Sequence, residues 1–154
     1  MIISDHGISA GLHVKAFNHH IGQSDTAIFV KRIMAGRYEN KFPESLNDAP
    51  LLLPTVSNLM RRALEEWMDN LELTPQIIAE FDDSALMKAF GEEGLGLFPG
   101  PTAIKAEIQS MYDAKAIGDV PEVIENFYAI SPEQKLKNPV VLNIIETARS
   151  KLFN

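Results

Sequence analysis

The chain has no cysteine. That excludes disulfide scaffolds, thiolate zinc sites and cysteine nucleophiles. It is also short of positive charge: 14 Lys and Arg stand against 21 Asp and Glu, a formal net charge of -7. Gripping a phosphate backbone needs clustered positive charge, so nucleic-acid binding by these residues alone is not expected. No apolar run approaches the ~20 residues that span a bilayer. Met1-Ile2-Ile3-Ser4-Asp5 has no basic region ahead of a long apolar stretch, so no signal peptide is expected. A cytoplasmic protein without a membrane partner is the expectation. Catalytic signatures are missing too. There is no G-x-S-x-G elbow, no G-x-x-x-x-G-K-[ST] loop and no H-E-x-x-H. No base, nucleophile and orienting group can be named together, so an enzyme is not expected.

What is present suits one folded domain. The 154 residues are 45% apolar and 23% charged, enough for a buried core and unlike a disordered chain. The pattern alternates. Ile2 and Ile3 open a short strand, and residues 12–20 alternate loosely in an extended manner. Thr26 to Val30 (TAIFV) reads as a buried strand. Residues 31–48, with Gly36 and Pro43 as breakers, read as short helical turns. Leu51 to Leu53 is a strand ending at Pro54, and Thr55 or Ser57 is placed to cap the next helix. That helix carries Leu59, Met60, Ala63, Leu64, Trp67, Met68 and Leu71 at helical spacing. Arg61–Glu65 and Arg62–Glu66 are i,i+4 pairs expected on its solvated face.

Gln76 to Glu80 reads as the next strand, followed by a helix with Leu86, Met87 and Phe90 that ends near Gly91 and Gly94. Leu95 to Phe98 reads as a strand stopped by Pro99-Gly100-Pro101. Pro101 then suits the first turn of a helix carrying Ile104, Ile108, Met111 and Tyr112. After Pro121, Val123 to Ile130 reads as a strand. Asn138 and Pro139 start a last helix with Val141, Ile144, Ile145, Ala148 and Leu152 as its stripe. Strands alternating with helices predict an α/β fold with a largely parallel sheet and helices on both faces.

Two strand ends are candidate binding positions, because ligands in open α/β sheets sit where strands end and helices begin. One is Glu80-Phe81-Asp82-Asp83-Ser84; the other is Pro54-Thr55-Val56-Ser57-Asn58. A helix start offers N–H groups to an anion. Two adjacent carboxylates offer oxygens to a hard cation. The sign of a ligand therefore stays open, and Asp82, Asp83 or Ser84 serves equally as a helix cap. The histidines are His6, His13, His19 and His20. On a strand the adjacent pair points to opposite faces, which suits a single metal poorly. Gly91, Gly94 and Gly96 fit a helix end and a strand entry better than a phosphate loop. No cofactor is expected.

The run FDDSALMKAFGEEGLGLFPGPTAI, Phe81 to Ile104, resembles the regulatory domain of LysR-type transcriptional regulators. APLLLPTVSNLMRRALEEWMDN, NFYAISPEQKLKNPVV, IISD and GLHVKAFNHHIGQSD resemble it as well, in the family's order. The likeness is strongest to regulators that activate sodium/proton antiporter expression.

The resemblance implies a periplasmic-binding-protein-like (type 2) regulatory domain of two subdomains joined by crossover segments. Residues 26–118 would form the second subdomain, largely complete. Residues 1–11 and 131–154 would be parts of the first, and 12–25 and 119–130 the crossovers. The family's winged helix-turn-helix would be absent, so the chain is expected to be N-terminally truncated and to reach DNA only through that missing domain. The effector would be a small molecule or ion, with sodium as the implied ion. It would lie against Phe81, Asp82, Asp83, Ser84 and Phe98, with Thr55 and Ser57. The implied function is the effector-sensing portion of a sodium-responsive activator. The alternative is an assembly module that self-associates or pairs with a full-length regulator, with no DNA binding of its own.

Overall fold

In a computed structural model, residues 1–8 and 15–153 are described. The chain divides into two compact units, Met1–Ser24 with Glu125–Asn154, and Asp25–Ile124.

The larger unit is a three-layer α/β body. Its first strand is part of β2 (Phe17–Lys31), which contains the TAIFV run. Alternation sorts that run to two faces: Ile28 and Val30 enter one core cluster, Ala27 and Phe29 the other. Three 3-10 turns follow, at Arg32–Arg37, Glu39–Lys41 and Glu44–Leu46, matching the short turns expected there. β3 (Pro50–Pro54) runs parallel to β4 (Gln76–Phe81). Leu51 and Leu53 face the first cluster and Leu52 the second, so β3 is buried on both sides. Helix α1 (Leu59–Asn70) covers the first face with Met60, Leu64 and Met68. Helices α2 (Ser84–Glu92) and α3 (Lys105–Met111) cover the second with Met87 and Ile108.

The sheet is mixed, which corrects the largely parallel expectation. Leu51 and Leu97 form a single parallel bridge, with Leu52 N–H donating to Leu97 O at 2.7 Å and Leu97 N–H to Pro50 O at 2.8 Å. The chain then continues as β5 (Phe98–Pro101), antiparallel to β2. Pro99-Gly100-Pro101 therefore makes the strand instead of stopping it. A strand tolerates proline wherever no ladder donor is required. Pro101 ends β5, a 3-10 turn covers Thr102–Ile104, and α3 starts only at Lys105. The last strand, β6 (Ala114–Ser131), is longer than expected and holds Pro121 in its interior, at an exposed position.

The smaller unit is built on the outer parts of β2 and β6, both of which run from one unit into the other. β1 (Ile2–Ser4) pairs antiparallel with Tyr128–Ile130 of β6. Helix α4 (Pro139–Leu152) starts as expected, with Asn138 Oδ1 accepting from Val140 N–H at 2.9 Å. Ile145 packs with Ile21 and Ala129. Val141 and Ala148 join that cluster, whereas Ile144 and Leu152 of the expected stripe are exposed. His19 Nε2 lies 2.9 Å from Glu133 O, and His20 Nε2 lies 3.1 Å from Asn126 Oδ1. His13, and residues 12–14 of the extended segment expected at 12–20, lie outside the described residues.

Candidate functional site

Within the larger unit, β3 and β4 end side by side and each feeds a helix start. Thr55 N–H donates to Phe81 O at 3.1 Å and ties the two ends together. On the β3 side, Asn58 caps α1, its Oδ1 accepting from Arg61 N–H at 3.0 Å. Neither Thr55 nor Ser57 is the cap. Their hydroxyl oxygens lie 3.4 Å apart, leaving both side chains in the loop that precedes the helix. On the β4 side, Asp83 caps α2 and accepts from Ala85 N–H at 2.8 Å and Leu86 N–H at 3.3 Å. One oxygen of Asp83 is thus spent on the helix. Asp82 and Ser84 are exposed, and Ser84 O accepts from Lys88 Nζ at 3.3 Å.

Phe81 is half-buried and meets the ring of Phe90 with centroids 5.3 Å apart. Phe98 lies elsewhere. It is 0% exposed, stacked on Phe29 with centroids 5.6 Å apart and planes 12° from parallel. Its ring occupies the space a side chain on Gly91 would need, which is why glycine stands in the last turn of α2. Phe98 supports the sheet from within. The structure therefore brings Thr55, Ser57, Phe81, Asp82, Asp83 and Ser84 to adjoining strand ends and puts Phe98 in the core.

Arg61 departs most from expectation. It is 4% exposed and does not lie on a solvated face. Its Nη1 donates to Pro54 O at 2.8 Å and to Glu80 Oε1 at 2.7 Å. Nε and Nη2 donate to Glu65 Oε1 at 3.1 and 3.0 Å. Burial pulls the Arg61 pKa down. Hydrogen bonds and charge from Glu80 and Glu65 outweigh it, so the net direction is upward from an already high value. A raised cation pKa stabilises the fold below the unfolded value and loses that contribution only above the folded one. The guanidinium therefore stays charged throughout the ordinary pH range. Its neighbour Arg62 donates from Nε to Val56 O at 3.1 Å. The signal for Arg61 was in the spacing. Arg61, Leu64 and Met68 fall at i, i+3 and i+7, one face of a helix. Among the described residues no three His, Asp or Glu side chains gather in a way that would hold a metal ion, and no helix is long and apolar enough to cross a membrane.

Residues 19–152 match the model of the LysR substrate binding domain. The chain belongs to the LysR family. It is 32% identical over all 154 residues to the transcriptional activator protein NhaR of Escherichia coli K12, and equally to that of Shigella flexneri. The chain spans about half the length of these curated relatives, 50% in each case. Among solved structures, the effector domain of the transcriptional regulator AmpR of Pseudomonas aeruginosa matches with a TM-score of 0.66 at 16% identity, over 90% of this chain and 67% of that one. The regulatory domain of Synechocystis CcmR, solved with 2-PG, matches with a TM-score of 0.64 at 11% identity, over 99% and 73%. These likenesses show the fold, the periplasmic-binding-protein-like type 2 fold of LysR effector-binding domains. The LysR family and these relatives are transcriptional regulators and not enzymes.

Proposed function

We propose that this chain is the effector-sensing portion of a LysR-type transcriptional regulator, sodium-responsive as its resemblance to antiporter-gene activators implies. The similarity to half of NhaR along all 154 residues of this chain carries the reading. The unit Asp25–Ile124 corresponds to the family's second subdomain, and the remaining unit to part of the first. The effector surface of the second subdomain is the adjoining pair of loops, with Thr55 and Ser57 on one and Phe81, Asp82, Asp83 and Ser84 on the other. The mechanism is a population shift: an effector that favours one arrangement of the regulator changes how DNA readers are presented. DNA contact belongs to a reader domain outside these residues, and the working compartment is the cytoplasm.

Asp82 is the carboxylate to test, because Asp83 is already committed to capping α2, a role worth about 1 kcal/mol. Exchanging potassium chloride for sodium chloride at constant ionic strength should raise the melting temperature. At ten times Kd the gain is about 1.4 kcal/mol, or ~3 °C. Asp82→Asn should abolish the difference. Equal melting in the two salts would refute sodium as the effector.

A second reading, the assembly module, is favoured by Leu59, Ile77 and Ile78, which leave apolar surface on α1 and β4 exposed. Its partner would be a second copy or a full-length regulator, and co-elution with such a regulator would be its mark.

A further inference from the structure

The loop between β3 and α1 is held by two adjacent arginines, each taking a different carbonyl. Arg61 Nη1 takes Pro54 O at 2.8 Å, and Arg62 Nε takes Val56 O at 3.1 Å. The two carbonyls are two residues apart and bracket Thr55. We propose that Arg61 and Arg62 are positioning residues for the effector surface: by fixing the 54–55 and 56–57 peptide planes they set the direction in which the Thr55 and Ser57 amides point. The proposal rests on reading these strand ends as the effector surface.

In a trans peptide the C=O of one residue and the N–H of the next point in opposite directions. Among the described residues the only cis bond is Phe42–Pro43, so both planes here are trans. Arg61 draws Pro54 O toward itself, and Thr55 N–H must then point the other way. It does, to Phe81 O at 3.1 Å. One arginine contact thereby ties β3's exit loop to β4's end, and the Arg61–Glu80 bond at 2.7 Å repeats the tie one residue earlier on β4. The same rule applies to Arg62. With Val56 O held, Ser57 N–H points away from Arg62. That amide and the Ser57 hydroxyl lie on an exposed residue.

Arg61 does not read a ligand by its charge. Nε, Nη1 and Nη2 of Arg61 are all engaged within the protein, and its charge is met by Glu65 and Glu80. The pair shapes the loop, and the loop's own hydroxyl oxygens, on Thr55 and Ser57, are what it offers a sodium ion.

Carbonyl and amide NMR of the whole chain tests this directly. In Arg62→Met the Val56 carbonyl carbon and the Ser57 amide nitrogen should shift. Amides 63–70 should keep their shifts, and melting should stay within ~2 °C of the unsubstituted chain. Arg62→Lys, which keeps one donor, should fall between. In Arg61→Lys, Thr55 N–H exchange should accelerate at least ~10-fold relative to the α1 amides. Unmoved Val56 and Ser57 resonances in Arg62→Met, or unchanged Thr55 exchange in Arg61→Lys, would overturn the proposal. A sodium-for-potassium titration separates this from the effector reading. If the unsubstituted chain shows no sodium-specific shifts, the sodium reading fails and the carbonyl shifts still decide the clamp. If it shows them at Ser57 and Arg62→Met shows them unchanged, the positioning role is overturned.

Discussion

Phe98→Ala should cost about 3–5 kcal/mol of stability, the usual cost of emptying a buried aromatic site. At this chain length that is a fall in melting temperature of roughly 10 °C. The ring is fully buried, stacks on Phe29, and belongs to the cluster that joins Leu52, Met87 and Ile108. It touches two layers at once: the sheet, through Phe29 of β2, and the α2 helix, through Gly91. Its loss leaves a cavity that neither can close alone. Urea and thermal unfolding measure the effect. A variant within ~1 kcal/mol of the unsubstituted chain would mean that the ring does not hold sheet and helix together. A residue that the family resemblance placed against the effector is thus expected to announce itself as a stability defect.

Arg61→Met should cost about 2–3 kcal/mol. The loss comes from two sources. Pro54 O, in a buried residue, forfeits its donor, and the ties to Glu80 and Glu65 disappear. The carboxylates are themselves 46% and 36% exposed, so water rehydrates them and the cost stays below that of stranding a fully buried charge. Glu80→Gln should cost only ~0.5–1 kcal/mol, because the carboxamide oxygen still accepts from Nη1 and the site is half open to solvent. The ordering is the test. Equal costs for the two variants would show that the ion pair, and not the carbonyl contact, holds the loop.

Several elements could be read from local pattern because pattern and burial agree. TAIFV is a two-faced buried strand, and its residues divide between the two cores as alternation requires. Asn138-Pro139 opens α4 because cap chemistry and proline's missing N–H favour the same position. Structure departs from local pattern where a local signal competes with tertiary context. Pro99 and Pro101 ordinarily break a strand, yet the pairing with β2 keeps that segment extended. Pro121 sits at an exposed place in a strand that continues on both sides of it. Thr55, Ser57 and Asn58 are all good cap residues, and spacing alone does not choose among them.

The candidate surface was legible to the level of its two loops, since strand order alone identifies strand ends that meet helix starts. The clamp was not. Arg61 lies at the helical spacing of the buried stripe, but arginine there reads as solvated unless the carbonyl and two carboxylates that satisfy it are in view.

The proposed effector surface lies at the adjoining ends of β3 and β4. Amide NMR of the full chain during replacement of potassium by sodium, at constant ionic strength, tests it most directly. Sodium-specific shifts should concentrate at residues 55–58 and 81–85 and be lost in Asp82→Asn. Sodium-specific shifts centred on the β1–β6–α4 unit, or none anywhere, would contradict it.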